Sequence, residues 1–186
     1  MSSTPSAVAK QNDGNEPRTD AKREVDSCCK IFEPARFDKK EIVWNGRPFI
    51  KDGVWCILHV PINFGGMVSR VCAKIDAAGA KCRDDEFVML ADIKSSWSST
   101  VYFSVSKDNV PGAIVTRISG TFLTKVFEGP YSDFGKWIKE MESFFKSRKG
   151  ATHDFASSEL FAFYATCPKC SKKHGKNYTV LFSKVA

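Results

Sequence analysis

The chain has 186 residues, an apolar fraction of 42% and a formal net charge of +7. That length suits one domain with an appendage, and 15 Phe, 4 Trp and 4 Tyr are ample for a packed core. No apolar run approaches the roughly 20 residues of a membrane span, so an integral membrane protein is not expected.

Residues 1–27 are Ser, Thr, Pro, Asn, Asp, Glu and Lys, with Val8 and Val25 as the larger aliphatics. Such a segment buries too little surface to offset its chain entropy and is expected to be a disordered tail. Four basic and five acidic residues give it −1, which leaves +8 on residues 28–186 against +7 for the whole chain. A basic body attracts anionic partners, but net charge speaks to association, not to fold. The densest basic stretch, Lys169 to Lys176, is short. Seven cysteines is an odd number, and no signal peptide with an apolar h-region opens the chain. Both point to a reducing compartment, with the cytosol as the expected location.

Strand-like text runs from Ile42 to Val60, with Asn45-Gly46 and Asp52-Gly53 as expected hairpin turns. Gly65-Gly66 opens a helical pattern that places Val68, Val71, Cys72, Ile75 and Ala78 on one face and ends at Gly79. On this reading Cys56 and Cys72 are small core residues. Strands are predicted over 86–91 and 100–106. Residues 115–127 read as one long strand, or two with a bend at Gly120. Phe134, Trp137, Ile138, Met141, Phe144 and Phe145 then form one apolar stripe at helical spacing, with Ser132 as a candidate N-cap. Strands over 160–166 and 178–185 complete the chain.

Strand, helix, strand, strand therefore occurs twice. Each helix has a single apolar face, which must cover a sheet. The fold class expected is α+β, with residues 28–186 forming an antiparallel sheet with two main helices and a central cleft between two halves.

The stretch Gly120-Thr121-Phe122-Leu123-Thr124-Lys125-Val126-Phe127-Glu128-Gly129-Pro130-Tyr131, followed by the helix holding Trp137, resembles the GyrI-like family of small-molecule-binding domains. The order of elements agrees over about residues 54–186. The resemblance implies a tandem βαββ pseudo-twofold domain whose cleft binds amphipathic or cationic small molecules. Some relatives hydrolyse reactive electrophiles and others sequester their ligands. GyrI-like clefts commonly have a Glu entering from the last strand, where this chain reads Asn177-Tyr178-Thr179-Val180-Leu181-Phe182. A Cys-x-x-Cys loop is not a general feature of the family and marks a divergent branch.

Candidate catalytic residues are Glu128, Tyr102 and Tyr164. A carboxylate in an apolar cleft can serve as general base, and Tyr hydroxyls can orient water or stabilise an oxyanion. Trp55, His59, Trp97 and Tyr131 are the candidate ligand-binding residues. The plainer alternative makes Tyr102 and Tyr164 edge-of-core aromatics, Glu128 a solvated turn residue and His59 a satisfied core histidine.

Cys167-Pro168-Lys169-Cys170 has the spacing that lets two sulfurs reach one metal, with His174 as a third ligand and the Cys28-Cys29 pair to supply a fourth. One structural zinc is the cofactor this allows; thiols without metal are the alternative. A thioredoxin-like redox role wants its first Cys at the start of a real helix, and Ser171–Gly175 is too short to supply one.

Three functions of different classes follow. The leading one is a small-molecule-binding domain of GyrI-like type, with a hydrolase acting on hydrophobic or electrophilic compounds in the cleft as its enzymatic form. The second is a zinc-knuckle module binding nucleic acid or protein through its basic surface. It ranks lower because the aromatics are interleaved with aliphatics, as a core requires, and not displayed beside basic residues. The third is a thiol redox protein.

Overall fold

The computed structural model describes residues 32–57, 60–61, 63–94, 97–148 and 154–186. Among the described residues seven strands form: β1 (Lys40–Ile57), β2 (Val60–Pro61), β3 (Met89–Asp92), β4 (Ser98–Ser104), β5 (Ile114–Glu128), β6 (Leu160–Tyr164) and β7 (Tyr178–Lys184). Three α-helices accompany them among the described residues: α1 (Phe64–Ala77), α2 (Phe134–Ser147) and α3 (Pro168–His174). The disordered tail expected over residues 1–27 lies outside the described residues.

The sheet runs β1-β4-β3-β6-β7-β5, and β5 pairs back onto β1. Every pairing is antiparallel, so six strands close into a barrel, with β2 adding a short return on the end of β1. This overturns the expected α+β fold of two halves around a central cleft. The protein is mostly sheet, and the β1–β5 ladder, from Lys40↔Thr124 to Lys51↔Ile114, seals the place where a groove would lie.

The closure depends on two long strands that the turn signals obscured. Asn45-Gly46 and Asp52-Gly53 do not reverse the chain; both lie inside the 18 residues of β1. At the first, the register steps from Trp44↔Gly120 to Arg47↔Ile118, so β1 carries one extra residue. This is a β-bulge, which bends and twists its strand. Gly46 takes the left-handed conformation at φ 66°, and its N–H donates to the Ser119 hydroxyl at 2.8 Å. The bulge converts a hairpin signal into the curvature that a closed sheet needs.

The barrel interior is filled by its own side chains. Trp44, Phe49, Leu90, Ile118, Phe122, Phe161, Val180 and Phe182 form one buried cluster. Trp44 meets Phe122 with ring centroids 4.8 Å apart and Phe182 at 5.6 Å. Outside the barrel, α1 lays Met67, Val71 and Ile75 on Ile50, Val54, Val101 and Phe103. The buried stripe of α1 is rotated from the expected one, and Cys72 is exposed, not a core residue. Helix α2 places Trp137, Met141 and Phe145 on Leu123, Phe127, Ala162 and Leu181, using the stripe read from its sequence. Its N-cap is Asp133, after a 3-10 turn over Tyr131–Asp133, and not Ser132. Strands covered on both faces carry apolar residues at successive positions, as in Val180-Leu181-Phe182, all fully buried.

Candidate active site

The two ends of the barrel differ. One is stoppered by the segment that precedes β1. Phe37 packs against Phe163 and Phe182, both at 6.0 Å, and Phe32 against Phe37 at 5.8 Å and Tyr178 at 5.3 Å. The segment is fastened by backbone atoms: the Thr124 hydroxyl donates to the Phe37 carbonyl at 2.6 Å, and the Val126 N–H donates to the Asp38 carboxylate at 3.2 Å.

At the other end the described inner-face residues are mostly polar. Side chains alternate across a strand, so residues two apart share a face. Leu90 belongs to the interior cluster, which puts Asp92 on the inner face at the end of β3. Tyr102 also packs on that cluster, so Thr100 and Ser98 follow on β4. Phe49 on β1 is succeeded by Lys51, Gly53 and Trp55, and Phe161 on β6 is preceded by Glu159. The ladders then bring these positions side by side, through Leu90↔Tyr102, Lys51↔Tyr102 and Asp92↔Phe161. The Tyr102 ring meets Phe161 edge-on at 5.6 Å. At this end a depression of about 390 Å³ is lined by Asp52, Gly53, Val54, Trp55, Asp92, Lys94, Ser98, Ser99 and Thr100, with Tyr102 two residues along β4 from Thr100.

The electrostatics of this end centre on the Tyr102 phenol. Burial raises its pKa above the ordinary value, and the nearby carboxylates of Asp92 and Glu159 push the same way. A phenol raised in this way keeps its proton through neutral pH and remains a hydrogen-bond donor. The two carboxylates are held differently. Asp92 accepts the Lys94 N–H at 3.0 Å. Glu159 takes both a backbone and a side-chain contact from Lys184, at 3.0 and 2.9 Å. Lys184 thus pairs with Glu159, and Asp92 is the one of the two carboxylates that borders the depression.

The remaining sequence candidates distribute elsewhere. Trp55 stands on the rim, 71% exposed, and Trp97 is 65% exposed beside Ser98, the register partner of Trp55. Tyr131 and Tyr164 do meet, edge-on at 5.5 Å. They lie on the outer surface of the sheet, where Tyr164 packs on the α2 cluster and the Tyr131 hydroxyl donates to the Thr166 carbonyl at 3.2 Å. Glu128 pairs with Tyr178 at the stoppered end and lies 3.9 Å from Lys176. Glu128, Tyr102 and Tyr164 thus occupy an end, the inner face and the outer face of the barrel, and do not converge. His59 lies outside the described residues.

Of the metal candidates, Cys28, Cys29 and the side chain of His174 are outside the described residues. Among the described residues no group of three or more His, Cys, Asp or Glu is placed to hold a metal ion. Cys167 and Cys170 sit at the start of α3, which begins at Pro168 and not at Ser171; Cys167 is its N-cap, and its sulfur accepts the Cys170 N–H at 3.4 Å.

The residues that sequence reasoning missed are Asp92, Glu159 and Lys184. The signal for the first was the alternation along β3, where a carboxylate two residues beyond a buried Leu shares its face. For Glu159 the same rule runs backwards from Phe161.

The model of a family described as bacterial hydrolase matches residues 19–185, and the chain belongs to that family. No curated protein matches the chain. The family matched is not the GyrI-like one that the stretch Gly120–Tyr131 and the Trp137 helix resemble, and the closed barrel is not the tandem βαββ domain which that resemblance implies. Among the described residues no helix is long and apolar enough to cross a membrane.

Proposed function

We propose that this member of the bacterial hydrolase family hydrolyses small electrophilic molecules at the polar end of its barrel. The family assignment supports the reaction class. The observation that carries the site is Asp92, a carboxylate on the inner face that borders a depression of about 390 Å³ and helps, after burial, to keep the Tyr102 phenol protonated. That volume suits a small substrate, and the filled interior keeps the substrate at that end.

The roles follow from the chemistry of each group. Asp92 borders the depression and accepts a proton from the attacking water as general base. Tyr102 donates its hydrogen bond to the oxygen on which negative charge develops. The Lys184 ammonium, 2.9 Å from the Glu159 carboxylate, offsets part of the repulsion that this second carboxylate exerts on the developing charge. Trp55 on the rim offers an aromatic face to the apolar part of the substrate.

The test is hydrolysis of a panel of small activated esters and epoxides by the full chain, compared with Tyr102→Phe and Asp92→Asn. Loss of one preorganised donor or of a general base lowers kcat by roughly 100-fold or more. Hydrolysis that survives both substitutions unchanged sinks the assignment of the site. No turnover of any member of the panel by the parent chain sinks the reaction class.

A further inference from the structure

The hydrolytic reading leaves the Cys-x-x-Cys segment unused, at the other side of β6 and β7 from the polar end. We infer that Cys167 and Cys170 are a reversible dithiol–disulfide pair, oxidised by exchange with a low-molecular-weight disulfide that carries carboxylates. Four observations converge on it. The Cys167 sulfur lies 3.4 Å from the backbone N of Cys170, a residue whose own sulfur is only three bonds from that N. The Ser171 N–H donates to the Cys167 carbonyl at 2.8 Å, so the turn joining the two cysteines is already closed. One such turn sets Cα atoms about 5–6 Å apart, inside the range a disulfide spans. The two thiols differ in access, Cys167 being half-buried and Cys170 only 3% exposed, and Lys169, Lys172 and Lys173 are exposed around them.

That difference in access assigns the order of events. The Cys167 thiolate attacks one sulfur of the small disulfide RSSR, forming a mixed disulfide and releasing RS⁻. Cys170 then gives up its proton and attacks the Cys167 sulfur, which expels the second RS⁻. Two protein thiols are oxidised by two electrons and one RSSR is reduced to two RSH. The lysines attract the carboxylates of the incoming disulfide and set the direction of approach.

The experiment uses the full chain, glutathione disulfide as the oxidant, alkylation of the remaining thiols and tryptic mass mapping. Cleavage after Lys169 separates the two cysteines, so the peptides stay together only through a disulfide. The expected result is a linked Cys167–Cys170 pair that dithiothreitol releases. A Cys170→Ser variant accumulates the glutathione adduct on Cys167, and Cys167→Ser leaves Cys170 unmodified. The inference is overturned by an adduct on Cys170 in place of Cys167, or by both residues being fully alkylated after oxidant treatment. It is equally overturned if purified protein holds zinc that a chelator must remove before either sulfur reacts, since the pair is then a metal site.

Discussion

Trp44 on β1 and Phe122 on β5 meet inside the barrel with ring centroids 4.8 Å apart, across the ladder that closes the sheet. Trp44 is 6% exposed and Phe122 is fully buried. Truncating either opens a cavity lined by Phe49, Phe161 and Phe182, whose positions are fixed by their own strands. Phe122→Ala should cost about 3–5 kcal/mol, read as a shift of the midpoint in urea unfolding. A loss under 1 kcal/mol would mean that the barrel collapses around the gap.

Gly120 tests the closure from the backbone. Its φ of 139° is one that side chains rarely adopt, and an added Cβ would lie 2.6 Å from the Ala186 carbonyl oxygen. That oxygen accepts the Thr121 N–H at 2.8 Å, so it is not free to withdraw. Gly120→Ala should destabilise by about 1–3 kcal/mol, and thermal unfolding should show a lower Tm with an unchanged circular dichroism spectrum at low temperature.

Asp85 gives a pH signature. The Arg83 guanidinium grips its carboxylate with two bonds, at 2.6 and 3.1 Å, and holds its pKa at about 2, down from 3.8. A depressed carboxylate supports the fold above the ordinary value, and that support fades as pH falls from 3.8 toward about 2. NMR titration should find the Asp85 midpoint near the low end of that window. Arg83→Ala should return it toward the ordinary value.

Trp55 separates binding from stability. At 71% exposure it contributes little to the core, so Trp55→Ala should leave unfolding within about 0.5 kcal/mol of the parent. If it offers a face to the substrate, KM should rise while kcat holds. A matched fall in kcat with KM unchanged would place Trp55 outside the binding surface.

Helix α2 was legible because its apolar residues repeat with the helical period and its outer face is charged, so one pattern gave both its existence and its buried side. The strands were legible too, but not how they join. Asn45-Gly46 reads as a hairpin turn from its two residues alone, and only the Ser119 hydroxyl and the β5 partner make it a bulge. Closure is a property of the β1–β5 pairing, which joins residues as far apart as Lys40 and Thr124 and leaves no local trace. The site was half legible for the same reason. Tyr102 stood out as an aromatic with a polar tip, whereas Asp92 and Glu159 become neighbours of its phenol only through the ladders between β3, β4 and β6.

The β1–β5 ladder has one more consequence. An open sheet ends in two strands whose unpaired N–H and C=O groups can recruit a strand from another molecule, a common route to aggregation. Along the paired length of β1 and β5 those groups bond to each other, so no such template is presented there. Copies of this protein that meet along that length must do so through side chains alone, which should make them slow to aggregate as long as the barrel stays shut.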